Sequence, residues 1–121
     1  MGRGKRVQNG EFMTAQAGWT GDNGDPENFF FLRSCAAATI GGLNNTGWCN
    51  KEFDDMLVKA RQTTDVKTRT ELYEKMQVIQ KEEAPDFTIA HSVVFEATRA
   101  NVVGYKASPL GSHVFYGVDL K

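Results

Sequence analysis

Hydrophobic spacing changes period along the chain. Phe12-Met13-Thr14-Ala15-Gln16-Ala17-Gly18-Trp19-Thr20 is uncharged and weakly alternating, which predicts a strand ending at Trp19 or Thr20. Gly21-Asp22-Asn23-Gly24-Asp25-Pro26 is a dense run of turn formers. Pro26 followed by Glu27 can open a short helix through Phe29 to Arg33, because proline suits a first helical turn. From Asn50, a plausible helix cap, the period becomes helical, with Phe53, Met56, Leu57 and Ala60 on one stripe. Thr63-Thr64-Asp65 breaks that helix, and Asp65 can cap the next. In the second helix Leu72, Met76, Ile79 and Glu83 trace one side with Tyr73 beside them. Lys67, Arg69, Lys75 and Lys81 fall on other faces or at the margins, and Ala84-Pro85 ends the helix. Residues 87–95 are β-rich and predict one strand, 101–105 a second short strand or turn, and 113–118 a last one. There is no internal repeat and no low-complexity tract. The predicted class is α+β: two central helices flanked by strands, behind a loop-rich front.

Composition narrows the function more by exclusion than by pointing. The 121 residues suit one small domain. Fourteen Lys and Arg nearly cancel fifteen Asp and Glu, so no global field favours nucleic acid or an anionic membrane. No apolar run approaches the roughly 20 residues of a membrane-spanning helix. The apolar cluster Phe29-Phe30-Phe31-Leu32 suits core or interface, and exposed apolar surface is expected around it. The start, with Arg3, Lys5 and Arg6, lacks the apolar core of a secretory signal. Either the protein is cytosolic or its natural start lies upstream.

Cys35 and Cys49 flank a segment containing Gly41, Gly42, Asn44, Asn45 and Gly47. A disulfide closing such a flexible loop would contribute about 3 kcal/mol. Two unpaired thiols are the other reading. Neither cysteine has a second Cys or His at zinc-ligand spacing, so no metal site is expected.

Catalytic signatures are absent. There is no phosphate-cradling loop, no dinucleotide fingerprint and no G-x-S-x-G elbow. His91 and His113 lack nearby acidic or Cys partners in sequence and suit structural or surface roles. Asp54-Asp55 and Glu82-Glu83 suit solvated helix faces. The loop 22–27 fails as a calcium loop, since its third, fifth and sixth positions are Gly24, Pro26 and Glu27. A sharper possibility is a ligand-binding carboxylate. Trp19 places an aromatic wall three residues before Asp22, a pairing that suits a ligand with an ammonium group and an apolar side chain. Pattern alone favours a plain Asp/Gly surface turn.

The run GWTGDNGDPENFFFLRSC (18–35) resembles the ligand loop of the dipeptide- and oligopeptide-binding proteins that serve ABC importers, solute-binding protein family 5. GWCNKEFDD (47–55), RTELYEKMQ (69–77), EEAPDFTIAHSVVFE (83–96), VVGYKASPLG (102–111) and FYGVDL (115–120) continue the resemblance in order, from about Gly10 onward. It is nearest to the dipeptide binders. The family is exported and two-lobed, a type II-like periplasmic-binding-protein fold closing over its peptide, and the matching stretch is its carboxy-terminal end. The resemblance therefore implies a periplasmic, non-catalytic protein without cofactor, a short-peptide ligand and membrane permease partners. It implies that residues 1–11 are an atypical start or a truncated helix remnant. Residues 12–90 would form part of the C-terminal lobe with the ligand loop at 18–26, and 91–121 would cross the hinge and return to the N-terminal lobe. By position, Asp22 matches the carboxylate for the peptide's α-ammonium, Trp19 an aromatic beside the side-chain pocket, and Gly18 and Thr20 the backbone that pairs with the peptide. Cys35 and Cys49 match a disulfide of the dipeptide binders. The partner of the peptide's own carboxylate maps outside this chain. Two alternatives remain: a family relative for haem, a nickel chelate or a sugar, and a small secreted hydrolase using Asp22 or Asp25 with a His.

Overall fold

The computed structural model describes residues 3–121; Met1 and Gly2, part of the atypical start, lie outside the described residues. The helical elements in chain order are α1 (Arg3–Gln8), α2 (Glu27–Phe30), α3 (Lys51–Gln62) and α4 (Val66–Glu83). Two short 3₁₀ turns, Phe31–Arg33 and Cys35–Ala37, follow α2. The strands β1 (Val102–Val103) and β2 (Asp119–Leu120) pair antiparallel, Val102 opposite Leu120 and Val103 opposite Asp119. The class is α+β, dominated by helix.

Both central helices start where their caps dictate. The Asn50 side-chain oxygen accepts from the Phe53 amide at 2.9 Å, and Asp65 accepts from the Thr68 amide at 2.8 Å. Each satisfies an amide that the first helical turn leaves without a partner. α4 ends at Ala84, whose φ of 45° is left-handed and whose amide returns to the Gln80 carbonyl. Pro85 then blocks further helix.

The core lies between α3, α4 and the short α2. Phe53, Leu57 and Ala60 from α3 meet Leu72, Tyr73 and Met76 from α4, and Phe30 of α2 closes the cluster. Trp48, Met56 and Ile79 pack at its edge. The Phe30 ring stacks on Tyr73 with centroids 5.3 Å apart, and Trp48 meets Phe53 edge-on at 5.1 Å. Such aromatic pairs add roughly 0.5–1.5 kcal/mol beyond their buried area.

Exposed apolar surface around 29–32 is largely overturned. Phe30 and Leu32 are 5% and 7% exposed because the turn at Pro26 folds this segment onto α3. The exposed apolar side chains gather instead at Phe87, Ile89, Val93, Val94 and Phe95, and at Val114, Phe115 and Tyr116.

The strand expectations also need correction. Residues 12–20 and 87–95 carry no regular structure. A strand is defined by a hydrogen-bonded neighbour, and among the described residues β1–β2 is the one ladder. The strand expected at 101–105 appears as β1. The one expected at 113–118 is displaced to β2, because Tyr116 and Gly117 turn the chain. Gly104 at φ 78° admits this pairing, since a Cβ there would run into the Gly117 carbonyl oxygen.

Cys35 and Cys49 are disulfide-bonded, with Cα atoms 4.6 Å apart. The loop they close is built around buried Asn44, whose amide donates to the carbonyls of Ser34 (3.1 Å) and Trp48 (2.8 Å). The helix carboxylates are not merely solvated. Asp54 accepts from the Cys35 amide at 2.9 Å, and Glu83 accepts from Trp48 Nε1 and Asn50 Nδ2, each at 2.6 Å. Arg33 pairs with Asp86, which also accepts from Gln80 at 2.9 Å, so the chain leaving α4 is tied back toward α2. No helix among the described residues is long and apolar enough to cross a membrane.

Candidate functional site

The loop 18–27 is shaped by its own short side chains and then pinned to the helices. Asn23 Oδ1 accepts from the Asp25 amide at 3.0 Å, and Asp25 Oδ1 accepts from the Glu27 amide at 2.9 Å. Both are turn contacts of the kind Asn and Asp make readily. Gly24 between them has φ 70°, a left-handed conformation that glycine adopts without steric cost.

Two ion pairs hold the far side of the turn. Arg69 Nη2 of α4 donates to both oxygens of Asp25, at 2.8 and 2.7 Å, and also to Tyr73 Oη at 2.9 Å. Arg61 of α3 pairs with Glu27. The Glu27 amide first, and then the Arg69 guanidinium, hold the Asp25 carboxyl below its ordinary range. Burial pushes the Tyr73 hydroxyl up, so it stays neutral in this network. Arg69 and Tyr73 are four residues apart on one helix face, which lets both reach the same carboxylate.

The near side of the turn carries Trp19 and Asp22. Asp22 is exposed, and Trp19 is 45% exposed. Their side chains converge on Asn28, in the first turn of α2. Trp19 Nε1 donates to Asn28 Oδ1 at 2.8 Å, and Asn28 Nδ2 reaches Asp22 Oδ2 at 3.4 Å. The turn thus offers an anion and an aromatic surface on one side, while Asp25 and Glu27 are spent on anchoring. Gly18 has open space around its Cα, and Thr20 lies against Gly111.

Neither histidine hydrogen-bonds Asp22 or Asp25 among the described residues. His91 is exposed, and His113 faces Tyr105 (3.1 Å) and Glu96 (3.7 Å), an acidic partner that sequence proximity did not reveal. No cluster of three His, Cys, Asp or Glu forms a metal site among the described residues.

Sequence reasoning singled out Trp19 and Asp22, offered Asp25 only as a hydrolase candidate where it is an anchor, and missed the roles of Asn28, Arg69 and Tyr73. The Arg-x-x-x-Tyr spacing on α4 was a readable signal for two groups on one face. Their meeting with Asp25 was not readable, because it depends on how α2 folds onto α4.

No family model matches the chain. Individual relatives do. The dipeptide-binding protein of Escherichia coli (strain K12) is 47% identical over 97% of this chain and 22% of its own length. The heme-binding protein A of Haemophilus influenzae is 40% identical over 96% of this chain and 21% of its own length. The crystal structure of the dipeptide binding protein from Pseudoalteromonas sp. SM9913 in complex with Met-Leu superposes with a TM-score of 0.86 at 36% identity, over 97% of this chain and 23% of that one. These are solute-binding proteins. The chain belongs to solute-binding protein family 5. It spans about a fifth of the length of the curated relatives it matches.

Proposed function

We propose that the chain is the carboxy-terminal part of a two-lobed, type II-like, periplasmic binding protein that captures dipeptides or short peptides for an ABC importer. The observation that carries this reading is the match to the Escherichia coli dipeptide-binding protein over nearly the whole chain. The solved relative that holds Met-Leu supports it. In this reading residues 12–90 belong to the C-terminal lobe and 91–121 cross the hinge back to the N-terminal lobe. Asp22 holds the peptide's α-ammonium, a charge-assisted hydrogen bond contributing about 1.5–3 kcal/mol. Trp19 forms one wall of the side-chain pocket. The backbones of Gly18 and Thr20 pair with the peptide as an added strand, which gives affinity without side-chain selectivity. Closure of the second lobe removes water from the Asp22–ammonium pair and strengthens it. The closed form docks on membrane permease subunits. No catalytic step and no cofactor enter this account.

A second reading, a haem ligand, is favoured by one observation: the 40% identity to the heme-binding protein A. It is less supported than the peptide reading, since the dipeptide and di/tripeptide binders include the higher identity. Calorimetric titration of the full-length protein with Ala-Phe and with haemin separates them. Peptide binding that falls by about tenfold or more in Asp22→Ala is the expected result. Unchanged peptide affinity in that variant removes Asp22 from the site, and binding of haemin alone replaces the ligand class.

A further inference from the structure

Among the described residues Asn28 is the one side chain that hydrogen-bonds both Trp19 and Asp22, and it is half-buried in the first turn of α2. Its backbone amide is fixed as well, donating to the Asp25 carbonyl at 3.1 Å. The base of this side chain therefore belongs to the anchored part of the loop.

The orientation of its amide follows from chemistry. An indole N–H can only donate, so the group 2.8 Å from Trp19 Nε1 must be the Asn28 oxygen. With the oxygen committed, the NH₂ lies on the opposite side of the same rigid plane. There it faces Asp22 Oδ2 at 3.4 Å. A carboxylate can only accept, so both contacts demand the same orientation. At 3.4 Å the second contact is weak as a bond. What it supplies is a donor held beside one oxygen of Asp22, leaving the remaining lone pairs of that carboxylate for a ligand.

We propose that Asn28 is a positioning residue that fixes Trp19 and Asp22 relative to one another, so that aromatic wall and ammonium-binding carboxylate are presented as one preformed unit. This rests on the reading of Asp22 as the partner of the peptide ammonium. A leucine at this position has similar bulk and can satisfy neither neighbour. A serine is too short to span both. Preorganisation of this kind raises affinity by removing the cost of ordering two side chains at the moment of binding.

The test is a double-mutant cycle in the full-length binding protein, with Ala-Phe as the probe and calorimetry as the readout. Asn28→Leu should weaken Ala-Phe binding by about tenfold in the wild-type background. In the Asp22→Ala background the same change should cost little more, because the group it positions is gone. In the 121-residue chain, whose two tryptophans are Trp19 and Trp48, a Trp48→Phe background isolates Trp19 fluorescence, and there Asn28→Leu should shift the emission of Trp19. If Asn28→Leu fails to fold, Asn28→Ser takes its place in the same cycle. Equal losses with and without Asp22 would make Asn28 a scaffold residue only and overturn the proposal. So would an unchanged affinity in Asn28→Leu while Asp22→Ala weakens binding. If Asp22→Ala leaves the affinity unchanged, the underlying peptide-site reading fails, and the two failures are told apart by that single variant.

Discussion

Arg69 Nη2 lies 2.8 and 2.7 Å from the two oxygens of Asp25, a residue 44 positions earlier in the chain. This contact joins the turn that presents Asp22 to the helix that carries three of the seven buried core residues. Tyr73 completes the triangle, 2.9 Å from Arg69 and 3.3 Å from Asp25, while its ring stacks on Phe30. The polar clamp and the apolar core thus share one residue.

Removing the guanidinium should loosen the loop more than the core. Arg69→Met keeps the apolar stem and leaves Asp25 without its charged partner. The side chains of Arg69 and Asp25 are about a third exposed, so solvent screens the pair, and the loss of stability should be small. A urea midpoint equal to wild type would show that the pair contributes nothing measurable. In the full-length protein, dipeptide affinity should fall in the same variant.

The pH dependence of this clamp has a definite sign. The Asp25 carboxyl is held below its ordinary value, by the Glu27 amide first and Arg69 next. Its contribution is therefore fully present above the unfolded carboxylate pKa of about 3.9, and is lost as pH falls through the lower folded value. The stability gap between wild type and Asp25→Asn should be constant near neutrality and close as pH drops below about 4. Urea titrations at stepped pH measure it. A gap that persists into strong acid would place the stabilisation elsewhere.

The helices were legible because their signals are local. Asn50 and Asp65 cap where their sequence context places them, and the three-and-four spacing of Phe53, Leu57 and Ala60 names the buried face. The strands were not, because β-rich composition at 87–95 says nothing about whether a neighbouring strand exists to pair with it. Glu83 illustrates the same limit for polar groups. Its position on the α4 face was readable, but its hydrogen bonds to Trp48 and Asn50 join residues 35 and 33 apart. Trp19 and Asp22 stood out through residue type and spacing, whereas Asn28 carries no local signal, because its contacts with both depend on how the turn folds.

Glu83 makes a prediction of its own. Its two oxygens fasten the end of α4 to the start of α3, through Trp48 and the capping Asn50. Glu83→Ala frees both donors at the surface, where water can replace the carboxylate. The cost should be modest, about 1 kcal/mol, with a red shift in Trp48 emission. A variant with unaltered emission and midpoint would mean that these contacts do not persist in solution.

The Cys35–Cys49 bond should carry more. It closes a loop with a sequence separation of 14, and restricting the unfolded chain over that length contributes about 3 kcal/mol. The paired Cys35→Ser, Cys49→Ser variant should lose about that much, and dithiothreitol should lower wild type to the same level. The loop should not dissolve, because Asn44 still bridges the Ser34 and Trp48 carbonyls and Asp54 still caps the residue-35 amide. Asn44→Ala added to the cysteine variant should then cost a further 1–3 kcal/mol, since it strands buried carbonyl groups. If reduction leaves the midpoint unmoved, those backbone bridges already restrict the loop and the disulfide is redundant.

The last prediction concerns the apolar surface at 87–95 and 114–116. Phe87, Phe95 and Tyr116 are 82%, 90% and 96% exposed, and they lie among further exposed valines and Ile89. Single exposed apolar residues are ordinary, but a group of this size marks surface that another body covers. The same residues lack a strand ladder, so their backbone groups also have no sheet partner. The 121-residue chain should therefore associate with itself, and light scattering should show a mass that rises with concentration. Phe95→Asp with Phe115→Asp should shift it toward monomer, because charge on both apolar segments opposes their burial. The α3–α4 core should survive that change, since neither phenylalanine belongs to it. A wild-type chain that stays monomeric at every concentration would show that these segments fold back on their own helices in solution.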